Sequence, residues 1–238
     1  MADHIVPVKP HIASNAHVGS FEQYQSIYDE SIRDPDGFWE KQAQRLDWFH
    51  AFDRTSEVDF HKAEISWYLG GKLNAAHNCI DRHLSERAEQ TAIIWVEDEP
   101  GTYTHITYRE LHDEVGRFAN VLKRYGVKKG DVVCISLPMM PEAIYAMLAC
   151  ARIGAVHSVV FAGFSADALR NRIVDADCRV VLTANEGLRG GKTIPLKKTV
   201  DDAIDEIPSV HTVLVAKRTE TKVAILRKKA AKAANQSA

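Results

Sequence analysis

The sequence predicts an α/β fold, a parallel-sheet layered subdomain in the order β-α-β-α-β-α-β, preceded by a helical, aromatic-rich N-terminal extension. Three observations carry this expectation. Between Val132 and Ala216, four runs rich in β-branched residues alternate with three helical patterns. Strands separated by helices need crossover connections, which make the strands parallel and cover both faces of the sheet with helix. Roughly the first 75 residues instead gather aromatics (Phe21, Tyr24, Tyr28, Phe38, Trp39) in helical patterns that need a neighbour to pack on.

In chain order, Ser20 caps a helix through Ile32 that sets Phe21, Tyr24, Ile27 and Tyr28 on one face. Asp34-Pro35 opens a second helix carrying Phe38, Trp39, Leu46, Trp48 and Phe49. After Asp53 the pattern weakens into a connection, with a strand-like run at Ile65 to Leu69 that ends at Gly70-Gly71; a third helix is expected over Leu73 to Arg87. Ala92 to Val96 and Tyr103 to Ile106 flank a turn and read as a hairpin. Thr107 and Glu110 form a capping box for a helix with Leu111, Val115, Phe118, Ala119 and Leu122 at helical spacing, stopped by Gly126. Val132 to Leu137 is a strand. Pro141 opens a helix, apolar nearly all round, that ends at Gly154. Val156 to Phe161 is the next strand, Ser165 caps a helix through Val174, Arg179 to Thr183 is a strand, Leu196 to Ile207 a helix and His211 to Ala216 the last strand. Residues 1–88 are assigned to the extension, 89–218 to the α/β domain and 219–238 to a basic tail rich in Ala and Lys, expected to be a loosely attached helix or coil.

The 238 residues are 45% hydrophobic and 26% charged, the composition of an ordinary globular protein. A formal net charge of -2 is too balanced for a nucleic-acid or membrane-surface protein. One asymmetry hides in it: from Lys217 onward seven basic residues face one acid, so that segment is +6 and the rest -8. Cys79, Cys134, Cys150 and Cys178 form no CxxC pair and have no His at metal-ligand spacing, so buried free thiols in a reducing compartment are expected rather than a zinc site. No signal-peptide pattern and no apolar run of membrane-spanning length appears, and the default location is the cytoplasm.

In open parallel sheets, ligands sit in the loops beyond the carboxyl ends of the strands. Two such loops stand out. In Phe161-Ala162-Gly163-Phe164-Ser165, Gly163 lets backbone approach a ligand, and Ser165 begins a helix whose amide dipoles favour an anion. A plain strand-to-helix turn with a capping serine satisfies the same spacing. Asn185 to Thr193 combines three glycines with Arg189, Lys192 and a hydroxyl, a composition that suits a phosphate but equally describes a solvated loop. It fails as a Walker A loop, because Glu186 stands where that motif needs glycine. Asp81, His83 and Glu86 share a helical stretch that a solvated face explains, Lys128 to Asp131 is a turn, and neither G-x-S-x-G nor H-E-x-x-H occurs.

Asn78-Cys79-Ile80-Asp81-Arg82-His83-Leu84, Thr91-Ala92-Ile93-Ile94-Trp95, Lys129 to Val133, Met140 to Ala143, Met147 to Phe161 and Ile194 to Lys198 closely resemble AMP-forming acetyl-CoA synthetases, acetate-CoA ligases of the adenylate-forming superfamily. The resemblance runs from about Ser20 to Arg218, including Tyr24, Phe38-Trp39 and Leu46-Asp47-Trp48 of the extension. It implies the activation of acetate with ATP to acetyl-adenylate, then transfer to coenzyme A. It also implies a coenzyme A site: Arg189, Gly190, Gly191 and Lys192 match the family's arginine-glycine loop, and Phe161 and Gly163 lie in its Phe-Gly-Gly-Phe-Ser turn. On that match the cations at 189 and 192 hold the 3′-phosphate, while Phe161 and the Gly163 backbone flank the adenine. Ala162 replaces a usual glycine, and Lys192 replaces a common arginine, which keeps charge but loses the bidentate fork and weakens the grip.

Nothing in the sequence resembles the family's phosphate loop, acetate pocket, adenine segment or the C-terminal domain with its lysine. No catalytic residue and no metal ligand is therefore assigned, ATP and Mg belong to the full-length family, and the chain alone is expected to be inactive. Its expected partner is a complementary polypeptide carrying the rest of the ligase, and uncovered apolar surface would favour self-association. A stand-alone coenzyme A-binding module or one half of a split ligase is the alternative reading.

Overall fold

A computed structural model describes residues 8–99 and 101–224. Its contacts divide the chain into two units, Met1–Asn74 and Ala75–Ala238.

In the first unit, α1 (Pro10–Ala13) precedes α2 (Phe21–Arg33), whose Ser20 hydroxyl accepts from the Gln23 amide at 3.1 Å. Asp34 caps α3 (Pro35–Ala43) by accepting from the Gly37 amide at 3.1 Å. The expected second helix is thus shorter than its aromatics: Leu46, Trp48 and Phe49 lie beyond it. The Trp48 indole N–H folds back to the Ala43 carbonyl at 2.9 Å and occupies one of the acceptors a helix end leaves open. The expected connection after Asp53 is a strand, β1 (Arg54–Asp59), paired antiparallel with β2 (Glu64–Leu69). Its run Thr55-Ser56-Glu57-Val58 carries too little apolar alternation to announce a strand, and cross-strand pairing decides it. Trp48, Phe52 and Tyr68 pack as a triangle with ring centroids 5.0 to 5.5 Å apart.

In the second unit, the expected helix over residues 73–87 is broken into α4 (Ala75–Cys79), a 3-10 turn (Asp81–His83) and α5 (Leu84–Arg87). Ile80 leaves helical geometry, which sends its side chain fully into the core and turns Asp81 onto Arg152 with contacts of 2.8 and 3.1 Å. Asp81 is engaged in an ion pair, and His77 and His112 approach it at 3.8 and 3.5 Å. β3 (Thr91–Val96) and β4 (Tyr103–Thr107) form the expected hairpin. Thr107 and Glu110 cap α6 (Tyr108–Arg124) reciprocally, the Glu110 amide donating to the Thr107 hydroxyl at 3.2 Å and the Thr107 amide to the Glu110 carboxylate at 2.8 Å.

From there strands and helices alternate: β5 (Val132–Ser136), α7 (Pro141–Ile153), β6 (Val156–Val159), α8 (Ala166–Asp175), β7 (Val180–Ala184), a small hairpin β8 (Gly187–Arg189) and β9 (Lys192–Ile194), α9 (Leu196–Ile204) and β10 (Thr212–Ala216). The four long strands make a parallel sheet in the order β10-β7-β5-β6, as the alternation predicts. At the central strands β5 and β7 both faces are buried. Val133, Ile135, Val180 and Leu182 pack with Val115, Leu122, Ala146 and Cys150 of α6 and α7, while Cys134 and Val181 face Leu169, Ile173 and Val200 of α8 and α9. Cys134, Cys150 and Cys178 are buried, and burial pushes the Cys150 thiol up to about 12. Cys79 departs from the expectation of buried thiols: it is exposed at the end of α4, one residue before the chain turns inward. Among the described residues no helix is long and apolar enough to cross a membrane.

Candidate functional site

The strand order reverses around β5: the chain goes from β5 to β6 on one side, then crosses to β7 on the other. Loops leaving the carboxyl ends of strands at such a reversal diverge and leave a crevice between them. Here those loops are the two singled out in the sequence. Phe161 to Ser165 follows β6, and the β8–β9 hairpin follows β7.

The structure brings them together. The Arg189 guanidinium carbon lies 5.6 Å from the centroid of the Phe161 ring, a cation–π contact between an exposed aromatic and an exposed cation. Phe161 is held from two further sides. Its ring meets Phe164 edge-on at 5.6 Å and 72°, and it folds back over Gly163 so closely that a Cβ there would sit 2.6 Å from Phe161 Cε1. Glycine at 163 leaves the space that the Phe161 ring occupies in this position. Arg172 of α8 in turn covers the Phe164 ring at 4.9 Å. Ser165 caps α8, its hydroxyl accepting from the Ala168 amide at 3.3 Å. Ala162 is half-buried against the core of the α6–α7 face.

Within the glycine-rich stretch 185–193, the segment from β8 to β9 is a hairpin with a two-residue turn. Gly190 and Gly191 have φ of 55° and 72°, the paired positive values that a type I′ turn demands and that only glycine and a few polar residues supply. The turn makes Arg189 and Lys192 direct cross-strand partners. Like charges placed opposite one another destabilise a strand pair unless something neutralises them. Neither side chain has an ion-pair partner among the described residues. The arrangement is therefore a pair of exposed cations beside an aromatic face, with chemistry suited to a phosphate attached to a planar base.

Glu186, the residue that spoils a Walker A match, faces the other way: its carboxylate accepts from the Thr219 hydroxyl at 2.6 Å. Asn185, 4% exposed, donates from Nδ2 to the Thr219 and Thr221 carbonyls, each at 2.9 Å, and its Oδ1 accepts from the Arg218 amide at 2.8 Å. This corrects the expectation of a loose attachment from Thr219 onward, because residues 218–221 are clamped to the end of β7; residues 225–238 of that tail lie outside the described residues. Arg172 and the Asn185 clamp escaped the sequence reading. Their partners lie 8 and 34 positions away, beyond the reach of any local pattern.

Residues 80–238 match the family model described as AMP-binding enzyme, and residues 24–79 the one described as acetyl-coenzyme A synthetase N-terminus. An acetyl-coenzyme A synthetase of Halorhodospira halophila is 57% identical over 216 residues, covering 90% of this chain and 33% of that protein. Acetyl-coenzyme A synthetase 2 of Pseudomonas aeruginosa is 55% identical over 215 residues, again 90% of this chain and 33% of its own. The solved acetoacetyl-CoA synthetase from Streptomyces lividans aligns with a TM-score of 0.77 at 25% identity, covering 89% of this chain and 33% of that one. The chain spans about a third of the length of the relatives it matches. With the AMP-binding model matching residues 80–238 and the synthetase N-terminal model residues 24–79, the chain belongs to the AMP-binding enzyme family and corresponds to the N-terminal portion of an acetyl-coenzyme A synthetase.

Proposed function

We propose that this chain supplies the coenzyme A-contacting portion of an acetate-CoA ligase, with Arg189 and Lys192 holding the 3′-phosphate and Phe161 and the Gly163 backbone flanking the adenine. One observation carries the reading: two like charges, set opposite each other by the glycine pair Gly190-Gly191, stand beside Phe161 with no ion-pair partner among the described residues to balance them. The guanidinium matches a phosphate bidentately, and the Lys192 ammonium adds a point charge. Phe161 provides a π face of the kind on which a base stacks.

The whole reaction of the ligase, ATP with acetate and coenzyme A giving acetyl-CoA, AMP and diphosphate, is assigned to this portion together with the remainder of the fold. ATP and Mg enter with that remainder. The chain by itself is assigned no acetate activation, since adenylation requires groups that cradle a triphosphate and stabilise charge developing at the α-phosphate. Three buried free thiols support a reducing, cytoplasmic setting.

The test is a calorimetric titration of the whole chain with coenzyme A and with its 3′-dephospho form. Charge-assisted hydrogen bonds contribute about 1.5–3 kcal/mol each, so removing the phosphate, or changing Arg189→Ala, is expected to weaken binding at least about tenfold. Affinity that ignores both changes removes the hairpin from the site. Acetate-dependent exchange of pyrophosphate into ATP above a mock purification would overturn the assignment of no activation to the chain alone.

A further inference from the structure

A groove on the second unit takes no part in the coenzyme A site. It encloses about 410 Å³ against residues 104–106 of β4, Glu110, Glu114 and Phe118 of α6, and Glu142 and Tyr145 of α7. Helical spacing aligns these side chains: positions 110, 114 and 118 fall four apart on one face of α6, and 142 and 145 three apart on α7. Acids set four apart on a helix repel one another, so the row is destabilising until a cation offsets it. Glu110 caps α6, and Glu114 pairs with the exposed Arg117. Glu142, in the first turn of α7, has neither a hydrogen bond nor an ion pair among the described residues. No Lys or Arg lines the groove, and Arg117 is the one ion-pair partner its three carboxylates have among the described residues.

An acidic row is ordinary on a surface, but Tyr145 is not. It is only 8% exposed, and its ring meets Phe118 edge-on with centroids 6.0 Å apart at 63°. A tyrosine buried this far normally uses its hydroxyl in a hydrogen bond. The Tyr145 hydroxyl makes none among the described residues, yet it is not sealed in the core, and its oxygen opens onto the groove. Burial first, then Glu142, Glu114 and Glu110, push this hydroxyl up to about 12, so it stays protonated beside the three carboxylates.

Among the described residues no three His, Cys, Asp or Glu side chains come close enough together to hold a metal ion. The groove therefore calls for a larger cation, whose donors reach separated acceptors. Ammonium N–H groups donate to carboxylates and to a hydroxyl oxygen, while methylenes pack against aromatic rings. An ammonium is also drawn to an aromatic face. One cation set against three acids leaves two negative charges, which a dication balances.

We propose that this groove binds an aliphatic diamine, with one ammonium donating to Glu142 and the Tyr145 hydroxyl, the stem lying along Phe118 and the other ammonium on the Glu114 side. The site is independent of the coenzyme A reading, whose loops contribute none of its residues.

The experiment titrates the whole chain calorimetrically with cadaverine, a five-carbon diamine, at physiological salt. Saturable one-to-one binding is expected. It should weaken at least about fivefold with Glu142→Gln, with Glu114→Gln and with Tyr145→Phe, a modest factor because half-exposed charge contacts count for less than buried ones. Asp175→Asn, at an exposed acid of α8 across the sheet, is expected to leave binding unchanged. Thermal melts establish that each variant folds. Tyr145→Phe should melt no lower than the unmodified chain, because it removes a hydroxyl with no internal partner; a lower midpoint overturns the assignment of that hydroxyl to a ligand. Absence of saturable binding overturns the proposal, as does binding that Asp175→Asn weakens equally, which marks general charge attraction. Equal affinity for magnesium does the same. Tighter binding of Nα-acetyl-lysine amide than of cadaverine overturns the diamine assignment and makes a protein side chain the occupant.

Discussion

Asn185 and Thr219 are joined by three hydrogen bonds: Asn185 Nδ2 donates to the Thr219 carbonyl and hydroxyl, each at 2.9 Å, and the Thr219 amide donates to Asn185 Oδ1 at 3.3 Å. One buried amide thereby fixes the exit of β10 against the exit of β7, next to the strand that carries Arg189. The same side chain accepts from the Arg218 amide, and Arg218 in turn pairs with Asp98 and covers Trp95. The base of the hairpin and the segment after β10 thus share one anchor.

Replacing Asn185 with leucine leaves those backbone groups without partners while keeping the side-chain volume. Each orphaned buried polar group costs about 1–3 kcal/mol, so a loss of about 2–4 kcal/mol is expected once water satisfies the more exposed ones. Urea unfolding of Asn185→Leu measures it. A midpoint equal to that of the unmodified chain would show that the clamp contributes nothing.

The two turn glycines should respond differently to the same kind of change. A β-branched residue at φ near +72° is strained by about 1–2 kcal/mol or more, so Gly191→Val is expected to splay the hairpin and abolish coenzyme A binding. Gly190→Asn places the residue most favoured in a type I′ turn at φ 55° and is expected to leave binding within about twofold. Parallel titrations of the two variants compare them directly.

Lys192→Arg restores a planar fork beside Arg189. If both cations address one phosphate, affinity for coenzyme A should rise several-fold, and the gain should vanish with the 3′-dephospho form. An unchanged affinity would separate Lys192 from the phosphate.

The capping box sets a pH dependence. The Thr107 backbone amide, and then its hydroxyl, hold the Glu110 carboxyl below its ordinary value of 4.5. A group depressed in the folded state stabilises fully above its unfolded pKa and loses that contribution as pH falls through its folded pKa. Melting temperatures of the unmodified chain and of Glu110→Gln should therefore run parallel above about pH 5 and converge below about pH 4.5. Curves parallel down to pH 3 would contradict this.

Much of the architecture is written locally. The runs at Val132, Val156, Val180 and Thr212, separated by helices opened at Pro141 and Ser165, specify parallel strands because nothing but a crossover can connect them. The Thr107–Glu110 box is legible for the same reason: both partners lie within one helical turn. The candidate site was legible in composition, through Arg189, Gly190, Gly191, Lys192, Phe161 and Gly163, but not in form.

What the sequence by itself determined is the set of elements and the positions of the two unusual loops, because hydrophobic period, caps and glycines act over a few residues. Tertiary structure alone decided the rest. It broke the stretch at Ile80 to bury that side chain and free Asp81 for Arg152, 71 positions away. It turned residues 187–194 into a hairpin, set Arg189 against Phe161 from the far side of β5, and used Asn185 to hold Thr219. Each of these depends on a partner brought close only when the sheet assembles, and contacts between distant positions leave no period in the chain for a reader to find.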